Sequence, residues 1–128
     1  MNTPRIARRK PLSARVGLFG VGFDAYWPQF DGLLEELTAK QAVLVQKLKG
    51  YEVEVVDFGM VDNAESAYAL LPRLKAADLD LVFCDMLTYA TSATFGVISR
   101  GLDLPIVLVA LQPLAALDYS RASTYMQL

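Results

Sequence analysis

Residues 79–92, LDLVFCDMLTYATS, decide the fold class of this chain. The run from Leu79 to Cys84 is apolar except for Asp80, which is typical of a strand covered on both faces of a parallel sheet. Polar and aromatic groups follow directly, among them Thr88 and Tyr89. Ligands of open α/β sheets bind outside the carboxyl ends of the strands. This stretch therefore predicts both a central strand and the place where a ligand binds.

The rest of the chain repeats the same plan of strand followed by helix. Apolar or alternating runs predict strands at 15–20, 51–58, 79–84 and 105–111. Helical spacing of apolar residues predicts helices at 28–49, from about 62 to 74, and from 91 or 92 to 100. Strands that alternate with helices predict an α/β fold with a three-layer parallel sheet of about four strands and helices on both faces. By analogy with flavodoxin-like and Rossmann-like sheets, we expect the strand order 2-1-3-4.

Several residues refine these helix predictions. Pro28 suits the first turn of the long first helix, and Gly50 suits its end. Asp62 and Glu65 have the spacing of a capping box at the start of the second helix, which Pro72 would kink or shorten. The apolar face of that helix is predicted to consist of Ala64, Ala67, Tyr68, Leu71 and Leu74.

Composition and charge limit which domain organisations and which partners are possible. Residues 15–128 are long enough for a single α/β domain, and residues 1–14 read as a flexible basic arm. Five of the twelve basic residues lie within residues 1–15, which contain no acid, so the remainder is acidic and nucleic acid is not expected as a partner. No apolar run is long enough to span a bilayer, so we expect no membrane partner.

Missing residue types exclude several chemistries. The chain has no histidine, which removes Ser-His-Asp triads, Cys-His pairs and histidine metal ligands. Cys84 is the only cysteine and lies in an apolar strand, so we interpret it as a core residue. A chain without disulfides and without a secretory leader suits a cytoplasmic location. We expect no catalytic residue and no metal ligand set within these residues.

The loop after the first strand allows several interpretations. Residues 20–25, GVGFDA, formally match the dinucleotide fingerprint G-x-G-x-x-A, but Pro28 opens the predicted helix too late, and Asp57 lies too far along the chain to bind the ribose. The glycines could simply turn the chain off the sheet. Alternatively, Asp24, Tyr26 and Trp27 form a ligand loop, because aromatic rings beside a carboxylate suit a sugar.

The acids at the predicted strand ends have a similar ambiguity. Asp24, Asp57 and Asp85 resemble the Mg²⁺-binding acids of a phosphoacceptor domain, yet no lysine follows the fourth strand. Acids at helix N-termini are also ordinary caps.

The order of features resembles the N-terminal domain of the L-arabinose isomerase family, within the arabinose/fucose isomerase group. Most of the residues that carry this resemblance follow the predicted strands or lead into them, namely Tyr26-x-Pro28, Thr88-Tyr89, Leu102-x-Leu104-Pro105, Gln112 and Ala115-Ala116-Leu117-Asp118. Met126-Gln127-Leu128, which also carry it, are expected in the next helix. The resemblance implies the first domain of an aldose–ketose isomerase, whose Mn²⁺ or similar divalent metal is held by glutamates and histidines of downstream domains. It also implies a homo-oligomeric parent protein.

The resemblance implies that Tyr26, Tyr89 and Gln112 contact a sugar, and we add Asp24, Trp27 and Thr88 to these expected substrate contacts. Two departures make arabinose itself doubtful as the substrate. The family's Ser-Gln-His-Leu-Tyr is replaced by GFDAY at residues 22–26, and Leu87 stands where a histidine is common. The rival interpretation is a stand-alone ligand-binding or regulatory module of the same fold, without catalysis.

Overall fold

A computed structural model of the protein describes residues 13–112, 114–116 and 118–120. Within these residues, the strands and helices alternate in the order β1 (Arg15–Val21), α1 (Leu33–Lys49), β2 (Glu54–Val61), α2 (Ala64–Ala76), β3 (Leu81–Met86), α3 (Ser92–Gly101) and β4 (Ile106–Val109). All neighbouring strands pair in parallel, in the order β2-β1-β3-β4. The predicted α/β class and strand order are therefore confirmed.

Successive side chains of β1 point to opposite faces of the sheet. Phe19 and Val21 pack into the core cluster that includes Leu70 and Leu74 of α2 and Ile98 of α3. Side chains on the opposite face meet α1, because a Cβ added to Gly20 would overlap Gln41. Helix α1 thus covers one face while α2 and α3 cover the other, which confirms the three-layer arrangement.

Helix α1 begins later than the predicted start at residue 28. The chain first forms a short 3₁₀ helix, Asp24–Tyr26, and then turns until α1 starts at Leu33. Gly32 precedes that start with φ 77°, a left-handed conformation that interrupts a right-handed helix. Pro28 therefore lies outside α1. The predicted end is correct, because α1 finishes at Lys49 and is followed by Gly50.

The predicted capping box of α2 is displaced by one residue. Asn63 is the N-cap: its Oδ1 accepts from the backbone N–H of Ser66 at 2.7 Å, and its own N–H donates to Ser66 Oγ at 3.2 Å. Asp62 and Glu65 do not form the box. Pro72 lies inside α2, which continues to Ala76, so this proline does not end the helix.

The face of α2 also differs in part from the prediction. Ala67 and Leu74 are buried as expected, but Tyr68 is 67% exposed and Leu70 takes the buried position. A helical step of 3.6 residues allows either side chain at the margin of the stripe, and the packing against the sheet selects Leu70.

Strand β4 forms an edge with apolar side chains in contact with solvent. It is shorter than the predicted strand at 105–111, and Val107, Leu108 and Leu111 are 42%, 54% and 66% exposed. The residues of the predicted basic arm before 13, and Met126-Gln127-Leu128, lie outside the described residues. Within the described part, no helix combines the length and apolar character needed to cross a membrane.

Candidate functional site

Two segments meet beyond the carboxyl ends of β1 and β3. The segment after β1 begins at Gly22, whose N–H donates to the carbonyl of Val61 at 2.9 Å. The segment after β3 turns back on β1: the N–H groups of Leu87 and Thr88 donate to the carbonyl of Val21 at 3.1 and 3.4 Å. These backbone hydrogen bonds place the aromatic loop after β1 against Thr88 and Tyr89.

An aromatic cluster joins these two segments. The ring of Phe23 meets Tyr26 edge-on at 5.0 Å and Tyr89 edge-on at 5.7 Å, while Tyr26 also meets Phe30 at 5.7 Å. Such edge-to-face pairs are favourable and define ring orientation. Phe23 therefore holds the two predicted contact tyrosines relative to each other. Sequence reasoning missed Phe23; the available signal was a large apolar residue in a loop after a strand.

Asp24 and Trp27 are held by the start of α2 instead. Asp24 Oδ2 accepts from Asn63 Nδ2 at 3.2 Å, and the indole N–H of Trp27 donates to Asp62 Oδ2 at 2.8 Å. The Trp27 ring lies over Gly22, where an added Cβ would stand 2.8 Å from the ring. The structure thus gives both residues a positioning contact within the protein. The hydrogen-bonding edge of Trp27 is already occupied.

The geometry of this loop also excludes the dinucleotide fingerprint. That mechanism needs the glycine turn to enter a helix whose N-terminus holds the pyrophosphate. Here the turn enters a three-residue 3₁₀ helix, and α1 begins only at Leu33. Asp57, the ribose candidate, instead accepts from the N–H of Gly59 at 2.9 Å.

Tyr89 stands at a cavity of about 330 Å³ beside the carboxyl end of β3. Tyr89 is 62% exposed. Small polar and apolar groups line this Tyr89 cavity, namely Val21, Cys84, Met86, Thr88, Ala90, Thr91, Ser92, Phe95 and Leu108. A volume of this order suits a small ligand.

The polar groups of the Tyr89 cavity come from the turn after β3 and from the start of α3. Thr88 Oγ1 donates to the carbonyl of Tyr89 at 2.7 Å, which pins the preceding turn. Thr91 Oγ1 lies 3.3 Å from Thr94 Oγ1 and does not cap α3. The N–H of Thr94 donates to the carbonyl of Thr91 at 3.0 Å, whereas the N–H groups of Ser92 and Ala93 have no side-chain cap and can donate to a ligand oxygen.

Gln112 lies at a different cavity, of about 290 Å³. Asp85 of β3 also lines this cavity, as do Leu37 and Lys40 of α1. Asp85 and α1 lie on the face of the sheet opposite α3, so the structure does not bring Gln112 and Tyr89 to one cavity. Asp85 is only 3% exposed, and this burial raises the pKa of its carboxyl group above the ordinary value of 3.8.

Cys84 lies at the base of the Tyr89 cavity but is a poor nucleophile. Burial, with a smaller contribution from the charge of Asp85, raises the pKa of its thiol to about 12. Among the residues that the structure describes, no three histidine, cysteine, aspartate or glutamate side chains cluster closely enough to hold a metal ion. Asp24, Asp57 and Asp85 thus do not form a phosphoacceptor centre, and the described residues do not fit a Mn²⁺ site.

No protein-family model matches the chain, and no curated protein shows significant similarity to it. The class supported by the fold alone is a flavodoxin-like α/β domain with a candidate ligand site at the carboxyl ends of β1 and β3.

Proposed function

We propose that this chain is the sugar-recognition domain of an aldose–ketose isomerase-like protein that is similar to the L-arabinose isomerases. One observation carries the proposal: the exposed ring of Tyr89, held edge-on by Phe23, stands at the mouth of a cavity with hydroxyl groups at the carboxyl end of β3. Ligands of open α/β sheets bind at this end of the strands.

The Tyr89 cavity has the chemistry that a sugar requires. An aromatic ring packs against the C–H face of a sugar, while hydroxyls and free N–H groups pair with its oxygens. Tyr89 supplies the ring, Ser92 supplies a hydroxyl, and the uncapped start of α3 supplies N–H donors. In this proposal, Tyr26 and Phe23 orient Tyr89, and Thr88 shapes the turn that carries it.

A titration with sugars tests the recognition step. An aldopentose, its ketose isomer and the corresponding sugar alcohol are added to the ¹⁵N-labelled chain, and amide shifts around residues 87–96 are followed. We expect saturable binding in the range of about 1 mM, as for a small polar ligand on an open site. Tyr89→Leu should weaken binding about ten-fold, since it removes the ring while keeping an apolar side chain.

Tyr51→Leu is the matched control, because Tyr51 is 77% exposed and precedes β2, at the opposite end of the strands. Equal affinity of the wild type, Tyr89→Leu and Tyr51→Leu would contradict recognition by the Tyr89 cavity. Absence of any shift at residues 87–96 would do so as well.

The wider role of the domain is a second step of the proposal. In this role, the metal-binding residues belong to downstream domains, a cytoplasmic homo-oligomeric parent protein performs the isomerisation, and the purified 128 residues with Mn²⁺ convert no aldose to ketose. The exposed apolar side chains of Val107, Leu108 and Leu111 support it, because a domain that packs against neighbours keeps such a surface.

Sedimentation analysis tests this docking surface. We expect the isolated chain to self-associate, and Leu108→Lys with Leu111→Lys to make it monodisperse. A wild-type chain that is already monodisperse at high concentration would favour the stand-alone module instead. Measurable aldose-to-ketose conversion by the purified chain would overturn the assignment of catalysis to other domains.

A further inference from the structure

The second cavity lies between α1 and the carboxyl end of β3, and its volume is about 290 Å³. Its apolar walls are Leu37, Val43, Met86, Leu87 and Leu111, and its polar groups are Lys40, Asp85 and Gln112. Ligand pockets range from about 300 to about 1,000 Å³, so this cavity suits a ligand of the smallest size. It lies on the face of the sheet opposite the Tyr89 cavity, so a ligand bound here does not depend on the proposed sugar site.

Asp85 is the most deeply buried polar group of this cavity. It is 3% exposed, and its side chain forms no hydrogen bond or ion pair with the residues that the structure describes. Within those residues, the unpartnered side-chain atom that is sealed from solvent is Gln41 Oε1. The Asp85 oxygens are not sealed in this way, so they open into the cavity that Asp85 lines. A buried acid without a partner at a cavity is a position to which a ligand can donate.

The donors of the cavity lie at its rim. Lys40 Nζ is 2.7 Å from Glu36 Oε1, and the Lys40 side chain is 49% exposed. An ammonium group has three donors, so this lysine keeps two for a ligand. Gln112 is also exposed, and its amide adds two N–H donors. The cavity therefore combines an acid at its base with donors at its rim, and apolar walls lie between them.

We propose that this cavity binds an α-amino acid with an aliphatic side chain. The ammonium group of the ligand donates to the Asp85 carboxylate, and the carboxylate of the ligand accepts from Lys40 and Gln112. The aliphatic side chain lies against Leu37 and Leu87. Charge-assisted hydrogen bonds are stronger than neutral ones, and an α-amino acid carries both charges at one end of an apolar body.

Ligands that carry only one of these charged groups fit the cavity less well. A simple amine pairs with Asp85 but leaves the donors of Lys40 and Gln112 without an acceptor. A simple carboxylate accepts from those donors but meets the negative charges of Asp85 and Glu36, which repel it. A sugar would place several hydroxyl groups against apolar walls that cannot pair with them. The lining therefore favours a ligand with both charges.

Three ligands with one branched carbon skeleton test the assignment: L-leucine, isocaproate, which lacks the ammonium group, and isopentylammonium, which lacks the carboxylate. Each is titrated separately into the full chain, whose Leu and Val methyl groups are ¹³C-labelled and observed by NMR. We expect L-leucine to shift the methyl signals of Leu87 and Leu111 saturably, with a Kd of about 1 mM or tighter. We expect the other two ligands to bind at least about ten-fold more weakly. Equal binding of either one, or no saturable shift with L-leucine, would overturn the proposal.

Two substitutions assign the two ends of the ligand. Lys40→Met removes the cation at the rim, so it should lower L-leucine affinity about ten-fold and leave isopentylammonium affinity unchanged. Asp85→Asn removes the acid at the base, so it should lower L-leucine affinity by about the same factor without weakening isocaproate.

Lys47→Met, at an exposed position of the same helix, and Asp103→Asn, at an exposed position before β4, are the matched controls and should leave L-leucine affinity unchanged. Lys40 is itself exposed, so Lys40→Met should fold even if Asp85→Asn does not. Unchanged L-leucine affinity in Lys40→Met, or in a folded Asp85→Asn, would show that only the apolar walls bind and would overturn the proposal.

Discussion

Tyr89 and Gln112 line two different cavities, which lie on opposite faces of the sheet. Met86, the last residue of β3, borders both of them. A small ligand held against Tyr89 is therefore bound by the α3 side of the sheet, where Thr91 and Ser92 lie. A ligand held against Gln112 meets Asp85 and α1 instead. The carboxyl end of β3 thus separates two candidate ligand sites, one on each face of the sheet.

Phe23→Ala should weaken both the fold and the sugar site. The substitution removes two edge-to-face contacts, to Tyr26 and to Tyr89, so we expect a loss of about 1–2 kcal/mol in the free energy of unfolding. Sugar affinity should also fall, because Tyr89 loses the ring that orients it. Urea denaturation and the sugar titration measure the two effects. Tyr51→Ala, at an exposed and distant tyrosine, should change neither. An unchanged sugar affinity in Phe23→Ala would show that Tyr89 needs no support.

Trp27→Phe separates a positioning role from a ligand contact. The substitution keeps a ring over Gly22 but removes the N–H that donates to Asp62 at 2.8 Å. We expect stability to fall by about 1–2 kcal/mol, since a half-buried carboxylate oxygen loses its donor. Sugar affinity should stay within about two-fold, because that N–H is already used inside the protein. A large loss of affinity with little loss of stability would instead support the direct substrate contact expected of Trp27.

Gly20→Ala should be strongly destabilising, whereas Gly96→Ala should not. A Cβ on Gly20 would overlap Gln41, and Gln41 cannot move without breaking its bond to Gly59. We expect a loss of about 2 kcal/mol from this overpacking. At Gly96, inside α3, an added Cβ meets nothing within 4 Å, so alanine should stabilise by about 0.5–1 kcal/mol. Thermal or urea unfolding of both variants measures the contrast. Equal effects would mean that the Gln41 side chain is free to rearrange.

The fold was predictable because its periodicities are strong. The apolar run from Leu81 to Cys84 and the helical spacing from Leu33 to Leu48 leave little choice of element type. Element starts were less predictable, because they depend on single backbone conformations. Gly32 adopts φ 77°, a property that apolar spacing does not encode. Asn63 with Ser66 and Asp62 with Glu65 are both acceptable capping pairs one residue apart, and the turn after β2 decides between them.

The location of the site was predictable from the sequence, but the set of residues that line it was not. Topology places the segments after β1 and β3 side by side, which explains why Tyr26 and Tyr89 share a cluster. Whether a residue after a strand faces α1 or α3 depends on one step of the pleat, so Gln112 could not be assigned to a face from the sequence. Phe23 was missed because an apolar loop residue also fits an ordinary core position.

Cys84 should be unreactive in the folded protein. Burial raises the pKa of its thiol to about 12, so almost no thiolate forms at about pH 8, and reagents cannot reach the 0% exposed side chain. We expect a disulfide reagent such as DTNB to label the thiol only in denaturant, where the chain is unfolded. The labelling rate against urea concentration measures this, and the fully unfolded chain is the positive control. Rapid stoichiometric labelling without denaturant would show that the Tyr89 cavity opens to its base.

The charge state of Asp85 should make stability depend on pH. Burial raises the pKa of Asp85 in the folded state above its ordinary value of 3.8, so the folded chain holds this proton more tightly than the unfolded chain. This proton therefore contributes stability that is fully present below 3.8 and is lost as the pH rises through the folded pKa. Asp85→Asn keeps a neutral side chain at every pH. The free energy of unfolding of the wild type, relative to Asp85→Asn, should consequently fall as the pH rises across that window and then level off.

Urea denaturation of both proteins at a series of pH values measures this difference, and subtraction removes the contribution of the other carboxyl groups. Asp103→Asn, at an exposed position, provides the baseline for removing one charge. A flat difference curve would show that folding leaves the pKa of Asp85 unchanged, and a curve that rises with pH would show that the fold stabilises the Asp85 carboxylate. Lys40 and Gln112 line the same cavity as Asp85, so these two side chains are the donors to which a rising curve would point.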